Sequence, residues 1–266
     1  ASVSHDGEAI YGAQVVAALE SMAFIENDLS KLVEQAKKFI PKKSVIFKLI
    51  SDIQEWSSGN LGWEQAREKI VENYGYDKYL GNCHMVPNHA LIIMALLFGD
   101  DDFQKTMMIV NTAGWDTDCN SGNVGCILGI KNGIDGLKKG PDYLSPINDI
   151  LYCPSASGGE TLTDALSETY KIINTTRKIN GLDEILPKNG ARFHFDIKDS
   201  TQGWRTVNGD QFCETKISNI EYKSNIGERA LKISYKNLLV DQIAEVYVET
   251  FFPEVILELE LSLIHI

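Results

Sequence analysis

The chain has 266 residues, 44% hydrophobic and 23% charged, a balance that suits one large core or two modest domains and not a disordered polymer. Its net charge of -12 excludes the basic footprint of nucleic-acid binding and offers no cationic patch to an anionic membrane. Five cysteines without a C-x-x-C pair exclude a disulfide framework and point to a reducing, cytoplasmic setting.

The opening, Ser4-His5-Asp6-Gly7, runs into Ile10, Ala13, Val16, Ala17 and Leu19, whose spacing of three and four predicts a helix. Gly12, Ala13, Ala17 and Ala18 on it permit close helix-helix approach. Further amphipathic stripes follow. Leu29, Leu32, Val33, Ala36 and Ile40 end at Pro41; Val45, Ile46, Leu49, Ile50 and Ile53 end near Gly59; Trp63, Ala66, Ile70 and Val71 close at Gly75. An almost wholly apolar helix is predicted over Asn88 to Phe98, and such a helix belongs at the centre of a bundle. Its longest apolar run, Ala90 to Phe98, is far too short to span a membrane. Asp100, Asp101 and Asp102 then cap and charge the start of the next helix.

That helix delivers Asn111-Thr112-Ala113-Gly114-Trp115-Asp116-Thr117-Asp118-Cys119-Asn120, followed by a second apolar segment, Val124 to Ile130. The residues leave three readings open. Asp116 or Asp118 caps the following helix. Alternatively Asp116, Asp118 and Asn120 begin a calcium loop, although Ser121 and Ile127 stand where that loop needs Gly and Glu. In the third reading two carboxylates at a loop-to-helix junction hold Mg²⁺ or Mn²⁺, which prefer oxygen ligands.

Beyond Gly129, Gly133, Gly136 and Gly140, positions 141 to 157 read as irregular, and Leu162, Ala165, Leu166, Thr169 and Ile172 predict a last helix. From Ala191 the period changes. Phe193-His194-Phe195-Asp196, Thr215-Lys216-Ile217, Ala230 to Tyr235 and Glu245 to Phe251 alternate between turn signals as an antiparallel sandwich does. Trp204 reads as a core residue before a sugar-stacking one. Residues 261–266, Leu-Ser-Leu-Ile-His-Ile, read as the translation of a transposon-type sequencing adapter and are set aside.

The stretch Gly114-Trp115-Asp116-Thr117-Asp118, with its small-residue apolar helix, resembles the C-terminal metal motif of the ADP-ribosylglycohydrolase family, written G-G-D-T-D-T. The order of central helix, acidic turn, helix and D-T-D extends the resemblance over positions 1 to 137, and His5 matches a Ser/Thr-His segment of that family. The resemblance implies an all-α helical bundle over 1–187. The tail over 190–260 separately resembles the start of a galactose-binding-like jelly roll, most closely at Gln202-Gly203-Trp204 and Gly227-Glu228-Arg229-Ala230-Leu231, and is expected to be a small, incomplete β-sandwich. The family resemblance implies a binuclear Mg²⁺ or Mn²⁺ hydrolase that cleaves the glycosidic bond at C1″ of ADP-ribose. Asp116 and Asp118 would be metal ligands, and His5, Gly114 and Trp115 would contact the substrate. Cys119 departs from the family's Thr. A thiol suits hard ions poorly, so a water or Asn120 takes that place, or one ion is held weakly.

The family's other ligands, a Thr-Asp-Asp run, and its acidic catalytic group are expected upstream of His5, so this chain alone is expected to be inactive. The expected partner is ADP-ribose or an ADP-ribosylated substrate, with carbohydrate a candidate ligand of the sandwich. Trp115 and Cys119, where the family has Gly and Thr, leave open a non-catalytic module that binds ADP-ribose or a nucleotide sugar; a further alternative is a glycoside hydrolase acting on another sugar, with the sandwich as its carbohydrate anchor.

Overall fold

The computed structural model describes residues 2–81, 83–147, 149–152, 162–207, 209 and 212–250; residues 261–266 and Cys153 lie outside that set. The chain divides into two compact units, Ala1–Asp142 and Tyr143–Ile266. The division precedes the change of sequence pattern near Pro187, because the last helix falls within the second unit.

The first unit is entirely helical among its described residues: α1 (Gly7–Met22), α2 (Leu29–Ala36), α3 (Val45–Ser57), α4 (Trp63–Tyr74), α5 (Met85–Phe98), α6 (Phe103–Thr112) and α7 (Thr117–Leu137). Each start has a local cause. Asp28 accepts from the Lys31 amide at 3.1 Å, Ser44 from Phe47 at 3.1 Å and Asp102 from Lys105 at 2.6 Å, satisfying amides that a first turn leaves open. Glu8 on α1 accepts from the Ile46 amide at 2.9 Å, which fastens α1 to the start of α3.

Around α5 the bundle closes, since α1, α2, α3, α4, α6 and α7 all pack on it. Every residue from Val86 to Leu96 is buried, as an all-round apolar helix requires. Fully buried side chains such as Leu91 and Ile93 each contribute about 1.5–3 kcal/mol of burial. The helix begins at Met85, a turn before the Asn88 start expected from the sequence. Pro87 is tolerated there because a first-turn amide has no intrahelical acceptor to lose. Asn88 and His89 are therefore interior, at 6% and 1% exposure. Near its far end α7 is broken at Gly133, whose φ of 62° and ψ of -176° interrupt the helix.

In the second unit β1 (Leu151–Tyr152) pairs antiparallel with β2 (Leu162–Thr163), and α8 (Ala165–Ile179) follows, capped by Asp164 at 2.8 Å from the Ser167 amide. Leu162, expected in the last helix, thus belongs to a strand, and that helix begins at Ala165. β3 (Arg205–Thr206) pairs with β6 (Val246–Tyr247), and β4 (Glu214–Glu221) pairs with β5 (Arg229–Lys236), placing Ile217 opposite Ile233.

Phe193 to Asp196 form no strand. The Asp196 amide donates to His194 Nδ1 at 3.2 Å and Phe195 takes a φ of 54°, so the alternating aromatics belong to a turn. Phe193 instead meets Phe195 and Trp204 at 6.5 and 5.6 Å between ring centroids. Sequence alternation cannot separate such an aromatic cluster from a strand.

Candidate functional site

Between α6 and α7 the chain reverses through two consecutive left-handed residues, Gly114 at φ 82° and Trp115 at φ 60°. Glycine adopts this conformation freely, but a side chain there costs about 1–2 kcal/mol. Trp115 is held by its ring. The Arg67 guanidinium lies 4.0 Å from the indole centroid, Tyr76 packs at 5.0 Å, and Arg67 Nε donates to the Ala113 carbonyl at 2.7 Å. Stacking of this kind is worth about 0.5–2 kcal/mol, enough to offset the backbone strain.

From the other side Asn88 pins the turn. Its Oδ1 accepts from the Asp116 backbone amide at 3.2 Å and from Asn120 Nδ2 at 3.0 Å. Its Nδ2 donates to Tyr76 Oη at 2.7 Å and to the His84 carbonyl at 2.9 Å. The central helix is thereby tied both to the turn and to the first turn of α7. Asn120 is buried in this network, so its amide group is directed at Asn88.

Asp116 is the residue before α7, yet its side chain makes no capping bond, while Asp118 lies in the first turn. One ligand atom each from Asp116, Asp118 and Cys119 lies within 4.8 Å of the others, the group of potential metal ligands among the described residues. The Asp118 carboxyl is held below its usual range by a hydrogen bond with Asp116, aided by the amides of Asp118 and Cys119. Hydrogen bonds to Asp116 push up the thiols of Cys119 and, from the loop before α5, Cys83. Two carboxylates at the positive end of a helix fit a hard divalent cation, whereas the adjacent thiol favours a softer one. His84, beside Cys83, spends Nδ1 on the Val86 amide at 3.2 Å as the cap of α5.

A cleft of about 490 Å³ opens here between α1, the start of α5 and the start of α7. His5, Asn88, His89, Asp116, Cys119 and Asn120 line it, together with small residues of α1. His5, at its mouth, is exposed and has Nδ1 2.7 Å from Ser4 Oγ. Sequence neighbours thus separate in space: Asp116 faces the cleft, exposed Asp118 is not part of its lining, and Gly114 and Trp115 shape the turn outside it. Asn88, His89, Arg67 and Tyr76 escaped the sequence reading. The available signal was an Asn-His pair inside an apolar helix.

An all-α bundle carrying a carboxylate pair at the N-terminus of a helix beside a central cleft defines a helical protein with a candidate cation-dependent site. Residues 1–175 match the sequence model of ADP-ribosylglycohydrolase, and this chain belongs to that family. Membership carries a glycohydrolase function in general. No curated protein and no solved structure matches the chain. No helix among the described residues is long and apolar enough to cross a membrane.

Proposed function

We propose that this site serves hydrolysis of the N- or O-glycosidic bond at C1″ of ADP-ribosylated substrates, with Asp116 and Asp118 holding Mg²⁺ or Mn²⁺. The observation that supports the reading is the approach of the two carboxylates and Cys119 to within 4.8 Å of one another at the start of α7. A bound divalent cation supplies Lewis-acid polarisation of an oxygen ligand. The protein's own part is positional. Asn88 fixes the backbone that carries Asp116, the amides opening α7 sustain the negative charge of Asp118, and His5 stands where a ligand enters. Gly114 and Trp115 act on the substrate through the turn they form. A binding-only role is favoured by a different observation: Cys119 contributes a thiol where a hard ion prefers a hydroxyl.

Calorimetric titration of Mg²⁺ or Mn²⁺, then ADP-ribose, into this chain and into Asp116→Asn and Asp118→Asn tests the reading. Cation binding that both substitutions abolish is the expected result. Undiminished binding in either variant places the ligands elsewhere.

A further inference from the structure

His89 is 1% exposed, and neither of its ring nitrogens has a hydrogen-bond partner among the described residues. Buried polar side chains are ordinarily partnered, because an unmade bond forfeits the water given up on burial. This one lines the cleft that also holds Asn88 and Asp116. Its Nδ1 approaches α1 at Gly12, where an added β-carbon would stand 3.5 Å from Nδ1 and 1.3 Å from Met85 Cε. The missing side chain of Gly12 therefore makes room for the Met85 methyl. Met85, four positions before His89, shares its helix face, and its methyl and the imidazole Nδ1 converge on the same point beside Gly12. An unbranched thioether changes rotamer readily, so this side chain can move without any change of backbone.

We propose, resting on the ADP-ribose reading above, that His89 hydrogen-bonds an uncharged sugar hydroxyl of the ligand through a ring nitrogen exposed when the Met85 side chain swings aside. Burial pushes this imidazole down to about 4, so the ring is uncharged at neutral pH. A neutral imidazole offers one donor and one acceptor, and a hydroxyl can answer either. It lends no positive charge to a phosphate. Of the titratable groups lining the same cleft, His5, Glu20, Cys83, Asp116 and Cys119, none hydrogen-bonds it.

The test uses the whole chain labelled with ¹⁵N-histidine, its imidazole signals assigned through the backbone, and titrated with ADP-ribose or inorganic pyrophosphate in the presence of Mg²⁺. ADP-ribose should shift the His89 nitrogens, and pyrophosphate should leave them unmoved. His89→Leu should weaken ADP-ribose about tenfold, the loss of one net hydrogen bond, without lowering the Tm. A lowered Tm with unchanged affinity would mark a structural histidine and overturn the proposal. ADP-ribose binding that leaves the His89 signals unmoved, as an internal water alone would give, overturns it while sparing the functional reading. No ADP-ribose binding by the unaltered chain removes both.

Discussion

Asn88 Oδ1 accepts from the Asp116 backbone amide at 3.2 Å, so the central helix, together with the turn itself, positions the first candidate metal ligand. One side-chain oxygen serves two donors, the second being Asn120 Nδ2. Asn88→Ala would strand both, together with the Tyr76 hydroxyl and the His84 carbonyl. A loss of about 1–3 kcal/mol is expected from urea unfolding, with weaker Mg²⁺ binding in calorimetry. Asn88→Asp keeps the acceptor and loses the donor, so it should retain more of the cation affinity than Asn88→Ala. Equal affinity in all three proteins would show that the turn positions itself.

Trp115 combines an unfavourable backbone with a favourable ring. Trp115→Ala removes the contacts with Arg67 and Tyr76 and keeps the strain, whereas Trp115→Gly removes both. The expected order of stability is Trp, then Gly, then Ala, with the last two separated by about 1 kcal/mol. An alanine variant at least as stable as the glycine variant would contradict the left-handed assignment at this position.

Cys119 bears on which cation the site takes. Cys119→Thr replaces a thiol by a harder oxygen and should strengthen Mg²⁺ and Mn²⁺ binding by about tenfold while weakening Cd²⁺. Competition calorimetry reads both changes. Identical metal preference before and after the substitution would place the thiol outside the coordination shell, despite its approach to Asp116 and Asp118.

His89 also makes stability depend on pH. Its folded value of about 4 lies below the 6.5 of an unperturbed imidazole, because burial disfavours the charged ring. Between those values the unfolded chain binds the proton and the folded chain does not. The contribution is therefore complete above pH 6.5 and falls away as pH drops towards 4, by roughly 3 kcal/mol in all. His194, also lowered chiefly by burial, acts in the same direction. Urea titrations of the unaltered chain and His89→Leu between pH 7 and 4.5 should show a shallower decline in the variant. Parallel curves would mean that water reaches the ring.

The sequence by itself determined the helical class of the first unit and its order. Period-three-and-four stripes, Pro41, Gly59, Gly75 and the capping aspartates are local signals, and local hydrogen bonding obeys them. It also placed Asp116 and Asp118 at the start of a helix, since Gly114 and the apolar run after Asn123 bracket them. It misread Phe193 to Asp196 and the pair β1–β2, where strand pairing and aromatic packing depend on partners far along the chain.

What only the tertiary structure decided is the division of labour within the motif. Asp116 lines the cleft while Asp118 is exposed and outside its lining, and Trp115 is held against Arg67 and Tyr76. Asn88 and His89 line the cleft because the central helix begins at Met85 and buries both among helices distant in sequence. The apolar positions of a stripe name themselves by their spacing. A polar residue does so only through the atoms it meets, and folding brings those from elsewhere in the chain.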